Sequence, residues 1–286
     1  MMEKPNKQGM FTRIYVGVLL AVLFIATLFF GGVIQQIFSS IIFLLCVHEV
    51  KNACVTKGYK PFFIPLYIFA LLACPVYVML GGFYLALFLL ATVLFTLSFL
   101  LFSAKYSIGD LFVSLALFVY PTVFLMLLVL AINLESFALS RVAMLLLFAC
   151  PLLCDTFAYF VGVFFGRHKL NSRISPKKTV EGSVGGLIGG ALGGVLVYFF
   201  QSWMPYIWNI ELETTLPLVP LILIGIVLSF AGQMGDLLAS AIKRWASIKD
   251  FSTFFPGHGG VTDRIDSVLL CAPIVFIMFY YLDVWL

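Results

Sequence analysis

Long apolar runs separated by short polar stretches dominate the chain. About 20 apolar residues cross the roughly 30 Å hydrocarbon core of a bilayer as a helix, which satisfies its own backbone hydrogen bonds. We therefore predict an all-α, polytopic integral membrane protein with about nine transmembrane helices. The runs lie at residues 14–34, 36–50, 62–80, 82–102, 111–134, 141–166, 183–203, 216–238 and 267–285.

The second run is the weakest of these predictions. It covers only residues 36–50 and ends in His48, Glu49 and Lys51. A buried or interfacial helix is therefore the alternative to a second span, and it would lower the count by one.

The composition favours the same class of protein. The chain is 63% hydrophobic and 10% charged, which excludes an ordinary soluble domain. The net charge of +4 is small and its cations fall in short clusters, a pattern that favours phosphate groups or lipid headgroups over nucleic acid. The six cysteines lie mostly in or beside apolar runs without a CxxC pair, so neither a zinc site nor a disulfide framework is indicated.

Positive charge is distributed asymmetrically between the loops. With nine spans and a cytoplasmic N-terminus, every one of the 17 Lys and Arg residues except Arg141 falls on the cytoplasmic side. The two densest polar loops, 167–182 and 240–266, are then both cytoplasmic. We predict N-terminal membrane-spanning helices over 1–140 and a membrane-spanning catalytic region with these two loops over 141–286.

Glycine repeats at four-residue spacing between Gly182 and Gly194, in the sequence GSVGGLIGGALGG. In lipid, such a stripe lets a second helix approach closely. A phosphate-binding glycine loop is the alternative, but no Lys-Ser or Lys-Thr pair follows as a P-loop requires. A homodimer formed through this stripe is a further hypothesis.

Most carboxylates lie at the ends of the runs or in loops, but Asp155 and Asp236 do not look like solvated loop charges. A carboxylate at membrane depth costs roughly 2.5–3.5 kcal/mol on insertion scales, so each should have a partner or a function. If the eighth run stays helical, Asp236 shares a helix face with Ser240 and Lys243. That face would direct polar groups toward the 240–266 loop.

Asp263 and Asp266 are spaced to share a helix face as well, and with Asp236 they would suit one hard cation such as magnesium. The alternative is that they form, with Arg264, the solvated first turn of the last helix, where acids suit the helix dipole.

Other polar groups in the two loops have similar alternatives. His258 lies in the turn PGHGG, whose amides would suit an anion, or it is simply a solvated side chain. Lys177 and Lys178, in SPKKT, suit either lipid phosphate or a nucleoside triphosphate.

Residues 240–266 closely resemble the signature of the phosphatidate cytidylyltransferases, also called CDP-diglyceride synthases. The resemblance also includes Asp155 with Tyr159, the SPKKT segment with Glu181, and Gln233 with Asp236. It covers roughly residues 150–270, while the N-terminal half matches only as a set of spans. The matching residues of the signature are Ser240, Lys243, Arg244, Lys249, Asp250, Ser252, Phe255, Pro256, His258, Gly259, Gly260, Asp263, Arg264 and Asp266.

The resemblance implies a nucleotidyltransferase of phospholipid biosynthesis in a bacterial inner membrane, which joins CTP and phosphatidic acid to give CDP-diacylglycerol and pyrophosphate. It implies Mg²⁺ bound by Asp236 and Asp263, and leaves open a second, monovalent or divalent cation. The implied catalytic residues are Asp236, Asp263, Asp266, Lys243 and Arg264. The implied substrate-binding residues are Asp155, Ser175, Lys177, Lys178, Ser240, Arg244, Lys249, His258, Gly259 and Gly260.

One position departs from the pattern. The family that the chain resembles usually has an acidic residue before the serine of a GDLxES-like run, where this chain has Ala239 in GDLLAS. This change has two alternative consequences: it weakens a second cation site, or it marks the chain as a divergent, inactive member of the family. A cytidylyltransferase for another membrane lipid phosphate and a transporter are the competing functions. A transporter would not need two dense basic loops on one face.

Overall fold

Helices make up nearly all of the structure. The computed structural model describes residues 7–134, 136–209, 215–255 and 259–285. The prediction of an all-α fold is confirmed. The helices in chain order are α1 (Lys7–Phe30), α2 (Gly32–Thr56), α3 (Ile64–Leu80), α4 (Gly82–Phe102), α5 (Ile108–Leu117), α6 (Phe124–Ile132), α7 (Phe137–Phe165), α8 (Val180–Trp208), α9 (Leu218–Trp245) and α10 (Thr262–Trp285).

The break between α5 and α6 has a local cause. Tyr120 has extended backbone angles (φ −124°, ψ 119°) inside the otherwise helical segment Phe118–Val123. The next residue is Pro121, whose ring disfavours the helical conformation in the residue before it. The fifth predicted run is therefore one kinked helical segment.

Within the described ranges, seven helices are long and apolar enough to cross a membrane, judged by length and composition. Two shorter apolar stretches, Tyr15–Phe30 and Ile64–Leu80, match the first and third predicted runs. Each of the nine predicted runs thus overlaps a helix, while nine membrane crossings stay a prediction. The seven are Gly32–Thr56, Gly82–Phe102, Ile108–Ile132, Phe137–Phe165, Val180–Trp208, Leu218–Trp245 and Thr262–Leu282.

The basic loop predicted over 167–182 contains a small antiparallel hairpin, β1 (Lys169–Asn171) paired with β2 (Ser175–Thr179). Its turn is stabilised by the Asn171 side chain, whose Oδ1 accepts the amides of Arg173 at 3.1 Å and Ile174 at 3.2 Å. An asparagine that bonds to the backbone just after it is a common way to form a tight turn.

By internal packing the chain divides into two compact units. Unit 1 comprises Met1–Met126 and Ile242–Ile265, and unit 2 comprises Leu127–Ala241 and Asp266–Leu286. Helices α1 to α5 and residues 242–265, which form the signature loop and the helix ends beside it, therefore belong to unit 1. The predicted division into 1–140 and 141–286 concerned where the catalytic motifs lie along the chain, and it stays a prediction.

In unit 2, the glycine stripe packs α8 against two other helices. A Cβ added at Gly189 would overlap the carbonyl oxygen of Leu153 in α7. On the neighbouring side, a Cβ at Gly194 would overlap the carbonyl oxygen of Leu221 in α9. The stripe therefore packs helices within one chain, as the sequence predicted, and does not form a phosphate-binding loop. The homodimer stays a prediction.

We expect Gly194→Ala to lower the thermal stability of the protein. The added methyl would meet the backbone of α9, which cannot rotate away as a side chain can, and overpacking of this kind typically costs about 1–3 kcal/mol. Gly17→Ala in α1 is the matched control, because a Cβ there has nothing within 4 Å. Thermal unfolding in detergent should show a lower midpoint for Gly194→Ala alone; equal midpoints would contradict the packing role.

In unit 1, a buried carboxylate fixes the linker between α2 and α3. Asp110 accepts the amide of Lys60 at 2.6 Å with one oxygen and the amide and hydroxyl of Ser107 with the other. The Ser107 hydroxyl in turn accepts the Asp110 amide, which completes a capping box at the start of α5. Nearby, Tyr59 stacks on Trp245, with ring centroids 5.7 Å apart. The Tyr59–Trp245 stack places the linker beside the end of α9.

Candidate active site

Unit 2 contains a pocket of about 330 Å³ lined by α7, the hairpin, α8 and α9. Three residues that were predicted to bind substrate, Asp155, Lys177 and Lys178, line it together. Ammonium groups over partly apolar walls suit a phosphate-bearing ligand with an organic portion. The pocket also has Tyr159, Thr179, Ser183 and Gln233 in its wall.

Lys178 forms an ion pair with Asp236, one of the two predicted metal ligands. Both side chains are 26% exposed, so solvent and ligands have access to the pair. The other oxygen of Asp236 accepts a hydrogen bond from Ser240 at 3.3 Å, one helical turn further along α9. The predicted shared face of Asp236 and Ser240 is therefore present.

Two contacts hold the hairpin that carries Lys177 and Lys178. The Thr179 hydroxyl accepts the Gly182 amide at 3.1 Å and so caps the N-terminus of α8. Glu181 accepts the His168 ring nitrogen Nδ1 at 2.6 Å, and its carboxylate also accepts the backbone amide of His168. Both ends of the hairpin are thus fixed to the first turn of α8.

A small polar network lies in the wall of the pocket. Gln233 in α9 accepts a hydrogen bond from the Ser183 hydroxyl, and its own Nε2 donates to the Ser183 carbonyl at 3.1 Å and to Cys154 Sγ at 3.4 Å. The sequence placed Gln233 in a motif but gave neither it nor Ser183 a role at the site. The sequence contained one indication of their role: each is a polar residue at a helix position surrounded by apolar and small residues.

In unit 1, the predicted catalytic residues Lys243 and Asp263 form a buried ion pair. Lys243 Nζ lies 2.6 Å from Asp263 Oδ1, and their side chains are only 10% and 5% exposed. The other oxygen, Oδ2, accepts the amides of Phe251 at 2.8 Å and Gly260 at 2.9 Å. Asp263 therefore ties the interior of the signature loop, at Phe251, to its end, at Gly260.

Sequence reasoning missed a second carboxylate at this loop, Glu49 of α2. Glu49 Oε1 accepts the Ser252 hydroxyl at 2.6 Å and the Val261 amide at 2.9 Å, and Oε2 accepts the Thr262 amide at 2.7 Å. The signal was present in the polar end of the short second run, but nothing in the sequence indicates a partner 203 or more residues away.

The glycines of the loop have a structural reason to be glycine. Gly259 has a φ of +82°, a conformation that L-residues rarely adopt. A Cβ on Gly260 would lie 2.5 Å from Glu49 Oε1, so any side chain there would displace that carboxylate. Their predicted role in binding substrate stays a prediction.

The other predicted residues lie in several environments. Arg244, Lys249 and Arg264 are exposed, and Arg244 Nη1 donates to the Ile248 carbonyl at 3.2 Å. Asp266 is buried and accepts the Ser267 amide at 2.8 Å. Ser175 begins β2, in the strand that carries the two lysines. His258 lies outside the described residues.

A model of the cytidylyltransferase family matches residues 11–282 of the chain. The chain belongs to this family. Phosphatidate cytidylyltransferases from Synechocystis, Bacillus subtilis and Staphylococcus haemolyticus are 38%, 36% and 37% identical to it over 142, 148 and 126 residues. These alignments cover 50%, 51% and 44% of the chain but only 44%, 49% and 44% of the relatives, so the chain spans about half the length of the curated relatives it matches. The predicted family resemblance is confirmed.

The donor groups of the site can be compared with what magnesium, the implied ion, requires. Among the described residues, no group of three or more His, Cys, Asp or Glu side chains is arranged to hold a metal. Magnesium in phosphate-transfer sites takes only one or two carboxylates and completes its shell with water and substrate phosphate. The partly exposed Asp236 fits that use, whereas the oxygens of Asp263 already accept three hydrogen bonds.

Ala239, the position at which the resemblance predicts an acidic residue, is completely buried. We expect Ala239→Glu to lower the thermal midpoint more than the neutral variant Ala239→Gln, because a buried carboxylate without a partner costs several kcal/mol. Thermal unfolding of both variants in detergent with magnesium and potassium present is the measurement. A Glu variant as stable as wild type would show that a cation compensates its charge at this position.

Proposed function

We propose that this protein transfers the cytidylyl group of CTP to phosphatidic acid, forming CDP-diacylglycerol and pyrophosphate. The observation that carries the proposal is the unit 2 pocket, in which Lys177, Lys178 and Asp155 of the predicted substrate set meet in one wall. Membership of the cytidylyltransferase family supports the nucleotide half of the reaction, and the names of the relatives support the lipid half.

In the proposed reaction, a phosphate oxygen of the lipid attacks the α-phosphorus of CTP, and the bond between that phosphorus and the bridging oxygen to the β-phosphorus breaks. The electron pair leaves with pyrophosphate. No protein nucleophile is needed, because the lipid phosphate is ionised near neutral pH. The protein has to bring two anions together and stabilise charge on the leaving group, work that fixed cations do well. Lys177 and Lys178 are suited to this role, since the hairpin is held at both ends.

We propose Asp236 as a magnesium ligand. The family resemblance implies Asp263 as the second ligand, a role that would require Asp263 to exchange one of its present hydrogen bonds for the ion. Bound magnesium would neutralise phosphate charge and orient the triphosphate. The ion pair with Lys178 supports a role for Asp236, because it fixes the carboxylate in a partly exposed position where a ligand can reach it. We keep the remaining predicted roles as proposals. The catalytic residues are then Asp266, Lys243 and Arg264, and the substrate-binding residues are Arg244, Lys249, Ser175, Ser240, His258, Gly259 and Gly260.

The proposed setting is a bacterial inner membrane, with the N-terminus and both polar loops facing the cytoplasm, where CTP is available. The asymmetry of the Lys and Arg residues supports this orientation. A homodimer stays part of the proposal without a surface assigned to it.

The experiment is a pyrophosphate-release assay with the full chain in detergent, phosphatidic acid, CTP and magnesium. We expect release that requires both substrates and falls strongly in Lys178→Met. No release above that variant would overturn the proposal. Faster turnover of a polyprenyl phosphate than of phosphatidic acid would change the acceptor. Substrate flux into liposomes without CTP turnover would instead identify a transporter.

A further inference from the structure

The signature loop of unit 1 is held by two carboxylates that come from different parts of the chain. Asp263 belongs to the loop's own motif, whereas Glu49 comes from α2 and lies in a region without any signature residue. Glu49 contacts the middle of the loop, at Ser252, and its end, at Val261 and Thr262.

The hydrogen bonds of Glu49 satisfy backbone amides at the start of α10 that would otherwise lack acceptors. The first amides of a helix have no partner within the helix, and α10 begins at Thr262. Glu49 accepts two of these orphan amides and places a negative charge at the positive end of the helix dipole. It is only 3% exposed, so hydration does not compensate its charge and the loop supplies the hydrogen bonds instead.

The loop is also shaped for this carboxylate. Gly260 contacts the Glu49 carboxylate so closely that a Cβ would lie 2.5 Å from Oε1. The loop is complementary to this acid in three ways. Gly260 leaves room for the carboxylate, the Ser252 hydroxyl donates to it, and two amides at the start of α10 donate to it as well. Generic helix packing does not require any of these features.

From these contacts we infer that Glu49 is a positioning residue for cytidylyl transfer: it fixes the start of α10 and with it Asp263 and Arg264, the next two residues. The inference rests on the proposed function. It assigns to the N-terminal helices a direct part in shaping the active loop. Displacing a reacting group by about 1 Å can cost about 100-fold in rate, so loss of this anchor should be visible in kinetics.

The test compares Glu49→Gln with Asp110→Asn. Asp110 is the matched control, because it is also a buried carboxylate of unit 1 that accepts backbone amides, but at the linker between α2 and α3. We expect Glu49→Gln to lower kcat about 10- to 100-fold. Asp110→Asn should lower thermal stability, since it breaks buried hydrogen bonds, without a comparable loss of kcat, because none of the contacts that the structure describes for it lies in residues 251–264. Hydrogen exchange should rise at residues 259–264 for Glu49→Gln and near residues 60 and 107 for Asp110→Asn.

Ser252→Ala serves as a second variant if Glu49→Gln does not fold, since it removes one contact at a residue outside the helices. It should give a smaller loss of kcat and the same local rise in exchange. Unchanged kcat together with faster exchange would overturn the positioning role, and unchanged exchange would overturn the anchor itself. An inactive wild type would overturn the proposed function, while the exchange data would still decide whether Glu49 holds the loop.

Discussion

Lys178→Met is expected to lower kcat/KM for CTP by about 10²- to 10³-fold, the usual cost of removing one fixed group that stabilises charge in a transition state. Lys178 lines the unit 2 pocket, where its ammonium is paired with Asp236. Methionine keeps much of the length and apolar area of the side chain but carries no charge. The variant therefore removes the cation with little change in packing.

Stability should change little in the same variant. The ion pair is 26% exposed on both sides, and pairs accessible to solvent contribute about 0–1 kcal/mol. A large fall in activity without a matching fall in the thermal midpoint would therefore mark Lys178 as functional. Steady-state pyrophosphate release and thermal unfolding in the same detergent measure the two quantities.

Lys169→Met is the matched control for this experiment. Lys169 is an exposed lysine of the same hairpin, on β1, but it does not line the pocket. Because Lys169 lies outside the pocket and surface substitutions usually change stability by less than about 0.5 kcal/mol, Lys169→Met should leave kcat/KM close to that of wild type. If the two variants lost activity equally, the effect would belong to the net charge of the hairpin, and the pocket would not be the site.

Much of the helical architecture could be predicted, because a long apolar stretch in lipid has almost no alternative to a helix. The errors lie at the ends of the helices. The second run was predicted to stop at residue 50, but α2 continues to Thr56. His48 there bonds to Asn52 and Tyr67, at 2.8 Å each, so polar residues extend the helix when partners are available.

The glycine stripe shows how far a periodic pattern can be interpreted. Four-residue spacing predicted that some helix would approach α8 closely, and the structure confirms this at Gly189 and Gly194. The spacing carries no information about the partner, which is α7 on one side and α9 on the other. A periodicity records only the shape of one surface.

The same limit applies to the candidate site, where local motifs could be predicted but contacts between distant residues could not. Asp155, Lys177 and Lys178 were predicted from motifs and do meet in one pocket. The contact of Glu49 with residues 252–262 was not predicted, because it depends on how α2 packs and spans more than 200 residues of sequence. Local patterns predict which residues are chemically capable, whereas distant partners follow from tertiary packing.

Asp263→Ala is expected to destabilise unit 1 by about 3–5 kcal/mol, the usual cost of breaking a buried ion pair from one side. The buried Lys243 would lose its carboxylate partner, and the amides of Phe251 and Gly260 would lose their acceptor. Activity should be lost as well. This single variant cannot separate a role in chemistry from a role in folding.

The double variant Lys243→Met/Asp263→Asn separates the two roles. Asparagine keeps a carbonyl oxygen to accept the two amides, and methionine removes the buried cation that would otherwise lack a partner. Replacing both partners of a buried pair is often nearly neutral, so we expect stability within about 1 kcal/mol of wild type. SDS titration followed by tryptophan fluorescence can report on unit 1 through Trp245, which stacks on Tyr59.

If Asp263 and Lys243 take part in the reaction, the double variant should be stable and still inactive, with kcat/KM lower by about 10³-fold or more. Restored activity together with restored stability would show that the pair only holds the loop, and Asp263 would then no longer stand as a magnesium ligand. Asp236 and Lys178 would carry the proposed chemistry without it. The double variant therefore tests whether both predicted metal carboxylates are needed, or only the one that remains partly exposed.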